Sequence, residues 1–119
     1  MFAILAIALT LATPAAPCTS SASVDRVAGQ WTGPFGNADW TFDLVQDAKG
    51  WSGRYRTTKA PTWKPLTDVA VTQGCATFSL TSEPRLTFSL ALTPDGAAMA
   101  GDLTIAGRAT LPFAARREP

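Results

Sequence analysis

The residues best suited to chemistry in this chain are few and scattered. None of the 119 residues is a histidine, so the commonest general base is missing. Serine and threonine are plentiful, but a serine nucleophile would then need a lysine or a carboxylate as its base. Nine carboxylates are present, and most fall at turns or at outward positions of alternating segments. Asp43 and Arg54 are typical. Folding their segment about Ala48–Lys49 sets them opposite one another on an outer face, where a cross-strand ion pair contributes roughly 0.2–1 kcal/mol. The sequence holds no glycine-rich phosphate loop and no paired-cysteine motif. Two cysteines, Cys18 and Cys75, without histidine do not make a zinc site. The expectation is a protein that is not an enzyme, with no metal and no cofactor.

Aromatic residues carry more information. Trp31, Trp40, Phe42, Trp51, Tyr55, Phe78, Phe88 and Phe113 can all point inward from alternating strands. In a small barrel such side chains either fill the lumen or line a site for one small ligand. Trp40, Phe42, Trp51 and Tyr55 are the candidate ligand-binding residues, although their bulk favours a filled core. Trp63 differs. It lies in a proline-bounded loop between Lys59 and Lys64, where no alternation buries it, and Arg54 and Arg56 are near in sequence. An aromatic among cations on a loop suits a partner contact, so Trp63, Lys59 and Lys64 are the candidate partner-binding residues.

These side chains need a scaffold, and the alternation supplies one. Residues 2–12 form an uncharged apolar run of eleven residues. That is too short for the roughly 30 Å of bilayer hydrocarbon, but it matches the core of a signal peptide. Small residues at Thr13-Pro14-Ala15 and at Ser20-Ser21-Ala22 both allow cleavage, with the second preferred because Pro17 ends the apolar segment at a suitable distance. The expected organisation is a signal peptide over 1–22 and a single barrel domain over 23–119, exported to the periplasm or beyond the cell, with no stable membrane anchor. Cleavage after Ala22 leaves Cys75 alone as a small buried hydrophobe; cleavage before Cys18 permits a Cys18–Cys75 disulfide in an oxidising compartment. The formal charge of +1 gives no footprint for nucleic acid.

Beyond the leader, period-two alternation dominates. Residues 24–35 open the domain. Trp40–Gln46 and Trp51–Arg56 form a hairpin about a turn ending in Gly50. After the Trp63 connection come Leu66–Thr72, Cys75–Thr81, Leu86–Leu92, Ala98–Ile105 and Arg108–Ala115, separated by turn signals such as Thr93-Pro94-Asp95-Gly96. About eight antiparallel strands in an up-and-down meander predict an all-β barrel, since closure removes the edges; a two-sheet sandwich is the alternative. A W-[TS]-G-x-[FY] pattern recurs at Trp31 and Trp51 and is echoed at Met99-Ala100-Gly101. Glycines inside strands suggest bulges or bends at barrel corners.

Gly29-Gln30-Trp31 opens the first strand, and Arg116 and Arg117 end the last. This resembles the calycin superfamily of lipocalins, fatty-acid-binding proteins and avidins. The resemblance implies that Gly29, Trp31 and one of Arg116 or Arg117 close one barrel end. Alternation favours Arg117, and a register change at the strand end favours Arg116. The run of strands from Trp31 to Arg116 also resembles the small β-domain preceding some exported bacterial α/β-hydrolases. The Ala28-Gly29-Gln30-Trp31 opening is similar to that of periplasmic metalloprotease inhibitors. The functional expectation is an exported, non-catalytic protein-binding or accessory module. Alternatives are a carrier of a small hydrophobic ligand and a periplasmic protease inhibitor.

Overall fold

In the computed structural model, residues 24–118 are described; the signal-peptide expectation over 1–22 and Cys18 lie outside them. A 3-10 turn, Val24–Val27, leads into nine strands: β1 Gly29–Phe35, β2 Ala38–Asp47, β3 Gly50–Thr57, β4 Lys64–Pro65, β5 Thr67–Thr72, β6 Cys75–Leu80, β7 Leu86–Leu92, β8 Ala98–Ile105 and β9 Ala109–Arg117. All pairings are antiparallel, in the order β4-β3-β2-β1-β9-β8-β7-β6-β5. The described chain is an all-β, up-and-down, nearly closed barrel.

Closure comes from two seams. At one, β9 pairs with β1 through Trp31↔Arg117 and Thr32↔Arg116 only. Pro34 has no N–H to give and so cannot extend that ladder as a donor. At the other seam, β4 and β5 are separated by Leu66 alone. Lys64 and Pro65 pair with β3, the Leu66 amide donates to the Gly53 carbonyl at 2.9 Å, and β5 then pairs with β6. One chain segment thus changes partners, and its two parts with seven other strands account for the expected eight. The two prolines of the Trp63 connection predict that Pro65 lies in a loop, but it forms part of this short paired stretch. The place suits proline because β4 is an edge strand in the ladder order.

Turn chemistry sets the register. Gln73 and Gly74 both have positive φ, 52° and 77°, in the two-residue hairpin closed by Thr72↔Cys75, as a primed turn requires. Asp68 also has positive φ, and the β5–β6 register shifts between Thr67 and Ala70.

Gly33 of the W-[TS]-G pattern and Gly101 of its echo do not mark bulges, since both lie in unbroken registers. Gly33 lies where a Cβ would collide with the Ala114 carbonyl oxygen, and Gly101 where one would collide with that of Ser89. Both permit close approach of neighbouring backbones.

The barrel interior is filled. Trp31, Phe42, Phe78, Phe88, Leu90, Met99 and Leu103 are at most 1% exposed. The rings of Phe42, Phe78, Phe88 and Phe113 meet with centroids 4.9–6.0 Å apart, in the tilted, offset and edge-to-face geometries that aromatic quadrupoles favour. Among the described residues, no buried side-chain nitrogen or oxygen lacks a hydrogen-bond partner.

Candidate functional site

The four candidate ligand residues do not converge on a pocket. Trp40 and Tyr55 stack at 5.9 Å with an interplanar angle of 13°, and Phe42 lies 6.5 Å from Trp40. Phe42, however, is fully buried in the core. Trp51 pairs with Gln46, next to the β2–β3 turn, whereas Tyr55 pairs with Phe42 further along the hairpin. Trp40 is fixed from the other side by Phe35, which packs edge-on at 5.9 Å and whose carbonyl accepts the indole N–H. The result is a half-buried aromatic rim of Phe35, Trp40 and Tyr55 over a packed interior.

The cationic face is better defined. Arg54 and Arg56 project outward from β3 because Trp51, Gly53, Tyr55 and Thr57 take its inward positions. Both guanidinium carbons lie over the Trp63 ring, at 4.2 Å and 4.4 Å from its centroid. The indole is half-buried while both arginines remain exposed. The loop presenting Trp63 is pinned at its start. Thr57 and Ala60 exchange backbone hydrogen bonds at 3.2 Å, and the Thr58 amide donates to the Asp39 carbonyl at 3.1 Å. Asp39 returns an amide donor to the Thr58 hydroxyl. Arg54 donates to Asp43 at 2.9 Å. Among the described residues, the remaining salt bridge joins Arg85 to Asp68, so Arg56, Lys59 and Lys64 have no anionic partner there. Lys64 pairs in the backbone with Tyr55 and Lys59 sits in the loop; both are exposed. The aromatic's immediate partners are the two arginines of β3 rather than the lysines flanking it in sequence. Two-residue alternation on β3 turns Arg54 and Arg56 outward, but which cations lie over Trp63 is set by the path of the loop.

The end of the barrel holds a third cluster. The Arg117 guanidinium lies 4.2 Å from the Trp31 centroid. It donates to the carbonyls of Ala28, Gly96 and Arg26, while Arg116 is exposed and pairs with Thr32 and Ala98. Gly29 has φ +127°, and a Cβ there would come within 2.9 Å of Arg117 Nη1. The Trp31 indole donates to the Val27 carbonyl at 2.9 Å. Arg26 donates to the Asp95 carbonyl. This role of Arg26 and Val27 was not legible in the sequence, because a 3-10 turn of four residues has no periodicity to read. The Asp95 carboxylate itself accepts from the Thr93 hydroxyl at 2.7 Å and the Ala97 amide at 3.0 Å. The Thr93 bond first, then that of Ala97, holds it below the ordinary carboxylate range.

A hollow of about 690 Å³ opens on the outer face beside the β1–β9 seam, lined by Thr32, Pro34, Ala98, Ala114 and Arg116 among others. It follows from the short ladder and the small side chains there, and none of the candidate aromatics lines it. Cys75 is disulfide-bonded, as in the second of the two alternatives that the cleavage site left open. No group of three or more potential metal ligands occurs among the described residues.

No family model, curated protein or solved structure matches the chain.

Proposed function

We propose that this is an exported, non-catalytic binding module whose contact face is the outer side of β3 with the Trp63 loop, and that its partner is a protein presenting carboxylates. The observation that carries this reading is the pair of guanidiniums over Trp63, flanked by Lys59 and Lys64, which have no anionic partner among the described residues. Cation–π contact with the indole holds both guanidiniums in place, and a positioned guanidinium is a fork for a carboxylate. The interior supports an external contact, since large buried side chains occupy the space that a lumen ligand would need. The calycin-like arrangement then concerns architecture rather than carriage, and inhibition of a protease is one form this protein contact can take.

Site-specific photo-crosslinking in the exporting host tests the reading. A photoreactive residue at Lys59 is expected to give one discrete protein adduct, weakened by salt and lost in the Trp63→Ala background. The same probe at Leu111, exposed on β9, is expected to give none. Equal labelling at both positions, or no adduct at Lys59, overturns it.

The half-buried rim of Phe35, Trp40 and Tyr55 favours a second reading, a small apolar ligand held at the barrel end. Native mass spectrometry distinguishes the two, because a co-purifying small molecule supports the carrier.

A further inference from the structure

We propose that the exported chain is cut between Ala15 and Ala16, retains Cys18, and joins it to Cys75 in a disulfide that ties the N-terminal segment to the β5–β6 hairpin. The cleavage part rests on the leader reading of residues 2–12; the pairing part does not.

Three observations carry the inference. Cys75 is disulfide-bonded, and the chain contains one other cysteine, Cys18. Cleavage after Ala22 would discard that partner, whereas Thr13-Pro14-Ala15 offers small residues at the required positions and keeps it. The location of Cys75 agrees. Ala76, Phe78 and Leu80 take the core-facing side of β6, which places Cys75 on the outward side, yet it is only 6% exposed.

The path of the chain agrees as well. The Val24–Val27 turn packs against β5 and β6, and Arg26 reaches Asp95 in the β7–β8 connection. That connection begins just past Leu92, whose amide donates to the Gly74 carbonyl beside Cys75. The described chain therefore starts at the barrel end where Cys75 lies. Cys18 precedes Val24 by six positions, a reach of about 20 Å when extended. That is ample to bring the two Cα atoms within the roughly 7 Å a disulfide requires.

Two reactions are involved. Water adds across the Ala15–Ala16 amide, leaving a carboxylate on the leader and an amine on Ala16. The two thiols then lose two protons and two electrons to a disulfide-carrying oxidant of the exporting compartment. The oxidant's own disulfide is reduced to a dithiol as the Sγ–Sγ bond forms.

The test is peptide mapping and intact mass of the full-length gene product, purified from an exporting host without reductant and alkylated before and after reduction. The expected result is an Ala16 terminus, no alkylation before reduction, and a Cys18 peptide linked to a Cys75 peptide. A Ser23 terminus overturns the proposal, and so does a Cys75 thiol alkylated without reductant or linked to a second copy's Cys75. A Met1 terminus with Cys18 linked to Cys75 overturns the leader reading and the cleavage while leaving the pairing in place. As an independent measurement, C18S is expected to melt lower by on the order of ten degrees. An unchanged midpoint overturns the tether.

Discussion

Arg117 is the side chain on which the lower barrel end depends. It stacks on Trp31 and donates to three carbonyls contributed by the entering turn and the β7–β8 connection. Hydrogen bonds from a charged donor contribute more than neutral ones, and the cation–π contact adds to them. Arg117→Ala is expected to lower stability by roughly 2–4 kcal/mol, read from urea denaturation at unchanged m-value. Arg116→Ala, at an exposed neighbour, is expected to change stability by less than about 0.5 kcal/mol. Asp95 sets a second residue-level test. Its folded pKa is depressed by the bonds from Thr93 and Ala97. The ionised form is therefore favoured in the fold; its contribution is fully present above the unfolded pKa and is lost as pH falls through the folded one. Amide exchange at Ala97, corrected for intrinsic rates, is expected to accelerate as pH falls below the ordinary carboxylate range, where Asp95 takes up its proton. Asp95→Asn is expected to remove that dependence.

Glycines explain how the strands lie so close together. Gly33→Ala and Gly101→Ala each push a methyl into a neighbouring strand's carbonyl, where the obstacle is backbone and cannot rotate away. Each is expected to cost roughly 1–3 kcal/mol or more. Gly36→Ala meets no atom within 4 Å but keeps φ +65°, so its cost is expected near 1 kcal/mol. Thermal midpoints of the three variants give the ranking. The elements themselves were largely legible. Leu86, Phe88, Leu90 and Leu92 read as one buried face and are one, and the turn residues divided strand from strand. Two features were less so. Positive φ at Asp68 and the partner change at Leu66 arise from closing the barrel, a constraint between distant segments that no local pattern encodes. For the site, the sequence put Trp63 among cations but not under Arg54 and Arg56, since that needs the loop's path over β3. Trp40 and Tyr55 met as diagonal neighbours on the inward face of the hairpin, whereas Trp51 was separated from them by its register.

At the scale of the molecule, the barrel's first half, β1 to β3, and second half, β6 to β9, are joined at two places. One is the two-pair ladder of β1 with β9; the other is the segment Lys64–Thr72, which serves both sides of its seam. This segment has a parity to keep. Residues before Leu66 are phased by β3, residues after it by β6, and side chains alternate faces with period two. A single inserted residue beside Leu66 therefore acts as a frameshift in three dimensions. With β3 pairing kept, Val69 and Val71 turn to water; with β6 pairing kept, the clasp to β3 is lost and a bare strand edge is left for another chain to occupy. Such an insertion is expected to drive the protein into aggregates, measured as loss of the monomer peak in size exclusion. Inserting two residues at the same place restores the phase and is expected to recover part of that peak. The tolerance of this barrel to length change is thus set by evenness at one position, and a family of such chains would vary in length there by pairs.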